Sequence, residues 1–205
     1  MTMTIKEKDF IEIDYTGKLI DGTVFDTTLE EVAKKNSIHN DKTKYNPLVV
    51  CVGEQQVVRG LDKALVGKEI GKNFTIKVTA DQAFGKKDIK MIKLVPMSVF
   101  RKQNIMPQPG LQLNIDGQIV TILRANGGRI LVDFNHPLAG KEISYEVKIN
   151  KTITDPSEKI KSYLRVSFPI SQEVSVHENK AIVYIPGDLP KELTEPISKK
   201  LKDFV

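Results

Sequence analysis

Four short stretches carry the side chains able to do chemistry: Tyr15-Thr16-Gly17 with Asp21-Gly22-Thr23-Val24-Phe25-Asp26, Val52-Gly53-Glu54-Gln55-Gln56-Val57-Val58-Arg59-Gly60-Leu61, Asp81-Gln82-Ala83-Phe84-Gly85, and a run from Ile143 that includes Tyr145. They supply aromatic rings, aliphatic side chains and a carboxylate, Asp26, directly after an aromatic. Such residues wall a pocket; they do not attack a substrate. No Ser/His/Asp or Cys/His constellation and no phosphate-cradling glycine loop accompanies them. His39, His136 and His177 lie far apart without a close-set cysteine or carboxylate pattern, so neither a metal nor a cofactor is expected. The one cysteine, Cys51, sits inside the apolar run Leu48-Val49-Val50-Cys51-Val52; no intramolecular disulfide can form, and a buried strand position is the natural reading.

The elements that would hold these residues are legible from periodicity. Ile11, Ile13 and Tyr15 alternate with Glu12, Asp14 and Thr16, and Phe74, Ile76 and Val78 alternate with Thr75, Lys77 and Thr79. Both read as half-buried strands. The same rhythm returns in Ile143, Tyr145, Val147 and Ile149, as a sheet would show if the chain left it and re-entered. Two helices are expected between the early strands. One follows a capping box at Thr28-Leu29-Glu30-Glu31, and the other is short, Val58 to Val66, with Leu61, Ala64 and Leu65.

Residues 87–136 differ in character. Pro96, Pro107 and Pro109 surround a short helical candidate, Met97-Ser98-Val99-Phe100. Strands then follow at Leu111–Ile115, Gln118–Leu123 and Ile130–Phe134. Asp116-Gly117 suits a type I′ hairpin turn because both residues tolerate positive φ, and Asn126-Gly127-Gly128 makes the next turn. A third region opens at Asp155-Pro156-Ser157-Glu158, an N-cap followed by proline at the first helical position, with Ile160, Tyr163 and Leu164 at helical spacing. Val174-Ser175-Val176, a turn at His177-Glu178-Asn179 and Ala181–Ile185 suggest a hairpin; Leu193, Ile197 and Leu201 mark a closing helix. About fifty residues of this kind are marginal as an independent fold. The tail is therefore expected to pack on the main body or on a second copy of the chain.

Taken singly these motifs are weak: Tyr15, Val57 and Tyr145 read as core residues, Asp21-Gly22 as a turn and Asp26 as a helix cap. Their joint order is specific. Over residues 5–153 the chain resembles the FKBP-type peptidyl-prolyl isomerases, and the interruption between the Ala83-Phe84-Gly85 motif and the strand at Ile143 resembles the SlyD-like branch with an insert-in-flap chaperone domain. The C-terminal extension is similar to that of long-chain archaeal members.

The resemblance implies an α+β fold: an antiparallel half-barrel sheet wrapped on a short helix, an inserted small β domain, and a C-terminal α/β extension. The domains would be 1–86 with 137–153, the insert 87–136, and 154–205. It also implies a pocket walled by Tyr15, Phe25, Asp26, Val57, Val58, Leu61, Phe84 and Tyr145, with Leu48, His136 and Leu138 contacting substrate and the Val58 N–H donating to it. Ile92, Leu94, Val95, Phe100, Ile105 and Met106 of the insert would capture apolar segments. Leu61 stands where eukaryotic members carry tryptophan, and Phe84 where they carry tyrosine, which implies a weaker grip on macrolides. The implied substrates are unfolded or nascent chains with X-Pro bonds; a holdase without catalysis is the alternative reading.

Composition narrows the partners. The 205 residues carry a net charge of +5 with both signs well mixed, so nucleic acid is not indicated, and Lys199, Lys200 and Lys202 read as a solvated helix face. No run of eighteen apolar residues could span a bilayer, and residues 1–9 contain no apolar stretch of signal-peptide length. A cytoplasmic protein is expected, with a homodimer through the C-terminal domain as one fate of the tail.

Overall fold

The computed structural model describes residues 4–115, 117–167, 173–177, 180–184 and 191–202. Of the residues singled out above, Asp116, Glu178, Asn179 and Ile185 lie outside these, as do the side chains of His177 and Leu193. The chain forms two compact units, residues 1–78 with 143–205 and residues 79–142.

The first unit is built on a five-stranded antiparallel sheet. Its centre is β1 (Phe10–Leu19), paired along one edge with β9 (Ile143–Ile153) and along the other with β3 (Leu48–Cys51) beside its first half and β2 (Val24–Thr27) beside its second. The strand β4 (Asn73–Val78) pairs with the far side of β9. The expected alternation is present: Ile11 and Ile13 on β1, Ile76 and Val78 on β4, and Ile143, Tyr145, Val147 and Ile149 on β9 are all buried. Val78, the last residue of β4, lies opposite Ile143, the first of β9. The chain thus leaves the sheet and returns to it at one cross-strand pair, the geometry of an insertion into a hairpin.

Two short helices connect these strands, α1 (Glu30–Lys35) and α2 (Arg59–Leu65), and α2 packs on β4 with Leu61 and Leu65 fully buried. The capping box expected at Thr28 is not formed. The helix begins at Glu30 with Leu29 as its N-cap and no side-chain cap bond. Thr28 is already committed: its hydroxyl accepts from the Tyr15 N–H (2.9 Å) and donates to Asp14 (3.0 Å). A long-range partner has displaced the local one.

The C-terminal segment joins this unit. Helix α4 (Pro156–Ser167) starts as expected, with Asp155 Oδ2 accepting from the Glu158 N–H at 2.8 Å. Ile160 and Leu164 from α4, Val174 from the hairpin β10 (Glu173–His177) and β11 (Lys180–Tyr184), and Leu201 from α5 (Lys191–Leu201) form one core with Phe10, Cys51 and Ile153 of the sheet. Each fully buried Leu or Ile in such a core contributes about 1.5–3 kcal/mol. Lys200 departs from the solvated-face reading, since its ammonium lies 2.6 Å from the Glu54 carboxylate.

The second unit has its own sheet, ordered β5 (Ile92–Pro96), β8 (Arg129–Asp133), β7 (Gln118–Asn126), β6 (Gln112–Ile115), with α3 (Met97–Lys102) following β5. Phe100, Val120, Ile122, Ile130 and Val132 form its core. The strand β5 has no counterpart among the expected strands, because β8, its partner among the described residues, lies far along the chain. Phe100 needs correcting as a capture residue: it faces inward from α3 and is 3% exposed. Val95 and Ile105 also pack against this core, and of the six proposed capture residues Leu94 and Met106 are the exposed ones.

Candidate functional site

Three rings and a carboxylate converge on one face of the first sheet. Cross-strand pairing sets Gly17 opposite both Asp26 and Tyr145, so β1, β2 and β9 present Tyr15, Asp26 and Tyr145 on the same side. The Tyr15 hydroxyl donates to Asp26 Oδ2 at 2.7 Å. Tyr145 meets Tyr15 edge-on at 5.8 Å between centroids and Phe25 edge-on at 6.0 Å, the T-shaped arrangement that aromatic quadrupoles favour. Burial, and then the Asp26 charge, hold the Tyr15 phenol well above its ordinary range, and the same causes raise Tyr145. Both phenols are therefore neutral donors at physiological pH.

Gly17 makes this convergence possible. A Cβ there would lie 2.7 and 2.9 Å from Phe25 ring carbons and 3.0 Å from Tyr145 Cε1. Its φ is not in the left-handed region, so the glycine serves close approach of the rings and not an unusual backbone. In the sequence Gly17 is visible only as the end of Tyr15-Thr16-Gly17, because the rings that crowd it come from β2 and β9. The segment that carries Phe25 and Asp26 is fastened to β1 by hydroxyls: Thr27 donates to the Tyr15 carbonyl (3.0 Å) and pairs with Thr16 (2.9 Å), next to the Thr28 bonds already described.

Val57 and Val58 lie at the mouth of α2, both half-buried. Val58 is the helix N-cap; its carbonyl takes the Leu61 and Asp62 N–H groups, while its own N–H has no acceptor among the described residues. Leu61 is 1% exposed and packs inward. Two side chains missed by sequence reasoning hold this corner. Buried Asp62 accepts from the Gly53 and Gln55 N–H groups, each at 2.9 Å, and Gln56 Oε1 accepts from the Cys51 N–H at 2.7 Å. An acidic residue in the first turn of α2 marks the start of the helix, but its bonds to the preceding loop are not readable from spacing.

Beside Asp26 opens a cavity of about 360 Å³, whose lining includes Tyr15, Asp26, Lys44, Leu48, Ser162 and Arg165. It joins the first-unit site to α4. Among the described residues no group of His, Cys, Asp and Glu is arranged to hold a metal.

The remaining predicted residues belong to the second unit. Phe84 stacks on His136 at 4.5 Å with the rings nearly parallel, and His136 Nδ1 accepts from the Leu138 N–H at 3.1 Å. The two chain segments there are tied together: Gly140 N–H donates to the Gly85 carbonyl (2.8 Å), Lys87 bonds buried Asp133 (2.7 Å), and Asn135 bonds both Asp88 and Asp133. Burial opposes the Asp133 charge, but the Lys87 and Asn135 bonds outweigh it and hold the carboxyl below its ordinary range.

Residues 2–101 match the family described as FKBP-type peptidyl-prolyl cis-trans isomerase, and residues 93–138 match FKBP26, IF domain. A short-type peptidyl-prolyl cis-trans isomerase of Methanocaldococcus jannaschii is 32% identical over 158 residues, which are 77% of this chain and 100% of that protein. The chain belongs to the FKBP-type peptidyl-prolyl cis-trans isomerases. Two further similar proteins are the FKBP-type peptidyl-prolyl cis-trans isomerase SlyD of Haemophilus influenzae, 32% identical over 58% of this chain and 65% of that protein, and the FKBP-type 16 kDa peptidyl-prolyl cis-trans isomerase of Escherichia coli, 26% identical over 73% and 94%. This FKBP is SlyD-like: an α+β isomerase with an inserted β unit between β4 and β9. Among the described residues no helix is long and apolar enough to cross a membrane.

Proposed function

We propose that Tyr15, Phe25, Asp26 and Tyr145 form the proline site of this isomerase, with Val57, Val58 and Leu61 closing its floor and Leu48 its rim. Rotation about an X-Pro bond faces a barrier of about 18–20 kcal/mol because amide resonance gives the C–N bond double-bond character. An apolar enclosure strips water from the amide and favours the twisted, less dipolar state. Fixed donors then stabilise the displaced carbonyl, and the Val58 N–H, which has no acceptor among the described residues, and the neutral Tyr145 phenol are suited to that task, while Tyr15 spends its proton on Asp26. The observation that carries the reading is the convergence of the three rings on the Tyr15–Asp26 bond across Gly17.

The substrates in this reading are unfolded or nascent polypeptides held by the inserted unit in the cytoplasm. Its support is an independent core together with exposed Leu94, Met106, Ile119 and Leu123 and the outer strands β5 and β6, each with one partner among the described residues. Phe84, His136 and Leu138 extend the contact to the polypeptide. Tethering a chain on the insert raises its effective concentration at the proline site. A homodimer through the C-terminal region is part of the proposal, using Ile182 and Tyr184, which β11 exposes. Sedimentation of the full chain across a concentration series tests it. Deletion of residues 87–136 tests the division of labour: the rate on a tetrapeptide should survive while the rate on a refolding protein collapses, and equal loss of both would count against it.

A further inference from the structure

The cavity beside Asp26 has one wall that only the C-terminal helix supplies, next to the loop before β3. Lys44, from the loop before β3, and Arg165, from α4, both line it, together with the Ser162 hydroxyl, across from Tyr15, Asp26 and Leu48. Among the described residues Asp26 is its one acidic lining residue, and that carboxylate is already engaged by the Tyr15 hydroxyl. Among the described residues neither Lys44 nor Arg165 forms an ion pair. Two cations against one hydrogen-bonded carboxylate leave the cavity with an excess positive charge. The helix that brings Arg165 there is anchored by Ile160 and Leu164, which are fully buried, so the guanidinium stem stands on a fixed base.

We infer that α4 of the C-terminal extension completes a subsite for an acidic side chain flanking the proline, with Arg165 and Lys44 as its specificity-determining residues. The inference rests on the proline-site reading above, because Tyr15, Asp26 and Leu48 are shared by the two. A peptide whose proline sits against Tyr15 and Phe25 runs on past Asp26, and its neighbouring side chain enters the cavity. Arg165 offers a planar, bidentate fork to a carboxylate, whereas Lys44 offers a point charge that can follow it. A glutamine in the same place is neutral and gains only ordinary hydrogen bonds.

The test is isomerisation of a peptide series with Glu or Gln at each of the two positions on either side of the X-Pro pair, at low and high salt. Wild type should prefer Glu at one position, by about two- to fivefold in kcat/KM per cation, the size that a partly exposed ion pair gives, and mainly through KM. The preference should shrink at high salt, where exposed charges are screened. Arg165→Ala and Lys44→Ala should each bring the Glu/Gln ratio toward one. Arg165→Lys should retain part of the preference, and Arg165→Glu should reverse it. Circular dichroism confirms the fold of each variant; Arg165 and Lys44 are exposed. A wild-type ratio of one at every position, or a ratio that survives Arg165→Glu, overturns the inference while leaving the proline site standing. Absence of catalysis on any peptide would overturn both.

Discussion

Replacing Gly17 with alanine tests the ring cluster through a single methyl group. A Cβ at this position would stand 2.7 Å from Phe25 Cζ, 2.9 Å from Cε2 and 3.0 Å from Tyr145 Cε1. Comfortable carbon contacts need about 3.5–4.0 Å, so the Phe25 ring must retreat by roughly 1 Å. Overpacking of this kind costs about 1–3 kcal/mol. The entropy that alanine removes from the unfolded chain offsets about 0.4–1 kcal/mol of it, because the Gly17 backbone is acceptable to any residue. A net loss of about 1–2 kcal/mol should lower Tm by about 2–8 °C for a protein of this size. Activity should fall further than stability, since roughly 1 Å of misplacement at a site can cost about 10²-fold. The assay is tetrapeptide isomerisation beside a thermal melt. Phe25→Leu removes both of the clashing ring atoms, so the thermal cost of Gly17→Ala should shrink in that background by about 1 kcal/mol in a double-mutant cycle. If Gly17→Ala keeps wild-type Tm and rate, or costs the same with Phe25→Leu present, the contact reasoning is wrong.

Other outcomes follow from the same structure. Tyr15 has its folded-state pKa raised by burial and by Asp26, so the stability it contributes is complete below the ordinary phenol pKa of about 10 and is lost as pH climbs above it. Alkaline unfolding monitored by circular dichroism should therefore begin above about pH 10 and be blunted in Tyr15→Phe relative to wild type. The Cys51 thiol is fully buried and pushed up to about 12 by burial and then by the Glu54 charge, so thiol reagents at pH 8 should label it only after denaturant is added; prompt labelling of native protein would contradict this burial. Leu164→Ala should cost about 2–5 kcal/mol and lower the melting of the isomerase unit itself, because Leu164 shares a core with Phe10 and Cys51; a separate low-temperature transition would show the tail to be an independent fold.

Much of the sheet was legible because alternation is a local signal. Ile11, Ile13, Ile76, Val78, Ile143 and Tyr145 could be placed on inward faces without knowing their partners. The N-terminus of α4 was equally legible, since Asp155 caps its own helix. What failed depended on distant partners. Thr28 has the spacing of a capping residue, but Asp14 and the Tyr15 N–H claim its hydroxyl. The strand β5 is short and followed at once by α3, and only pairing with β8 makes it a strand. Phe100 looks like a capture residue in a sequence of apolar positions; the pitch of α3 turns it into the core of the insert. At the site, the motifs named Tyr15, Phe25, Asp26 and Tyr145, which the sheet does bring together. The steric role of Gly17, the Asp62 anchor and the Arg165 wall were not legible, because each is a contact between segments that sequence spacing does not relate.

The most direct measurement is refolding of a protein limited by a slow X-Pro step, followed with wild type and with Asp26→Ala confirmed to be folded. Wild type at catalytic concentration should accelerate the slow phase. Asp26→Ala, which leaves the Tyr15 hydroxyl without its partner, should lose most of that acceleration while still suppressing aggregation. If the variant accelerates refolding as well as wild type does, the Tyr15–Asp26 pair and the rings around it are not the proline site.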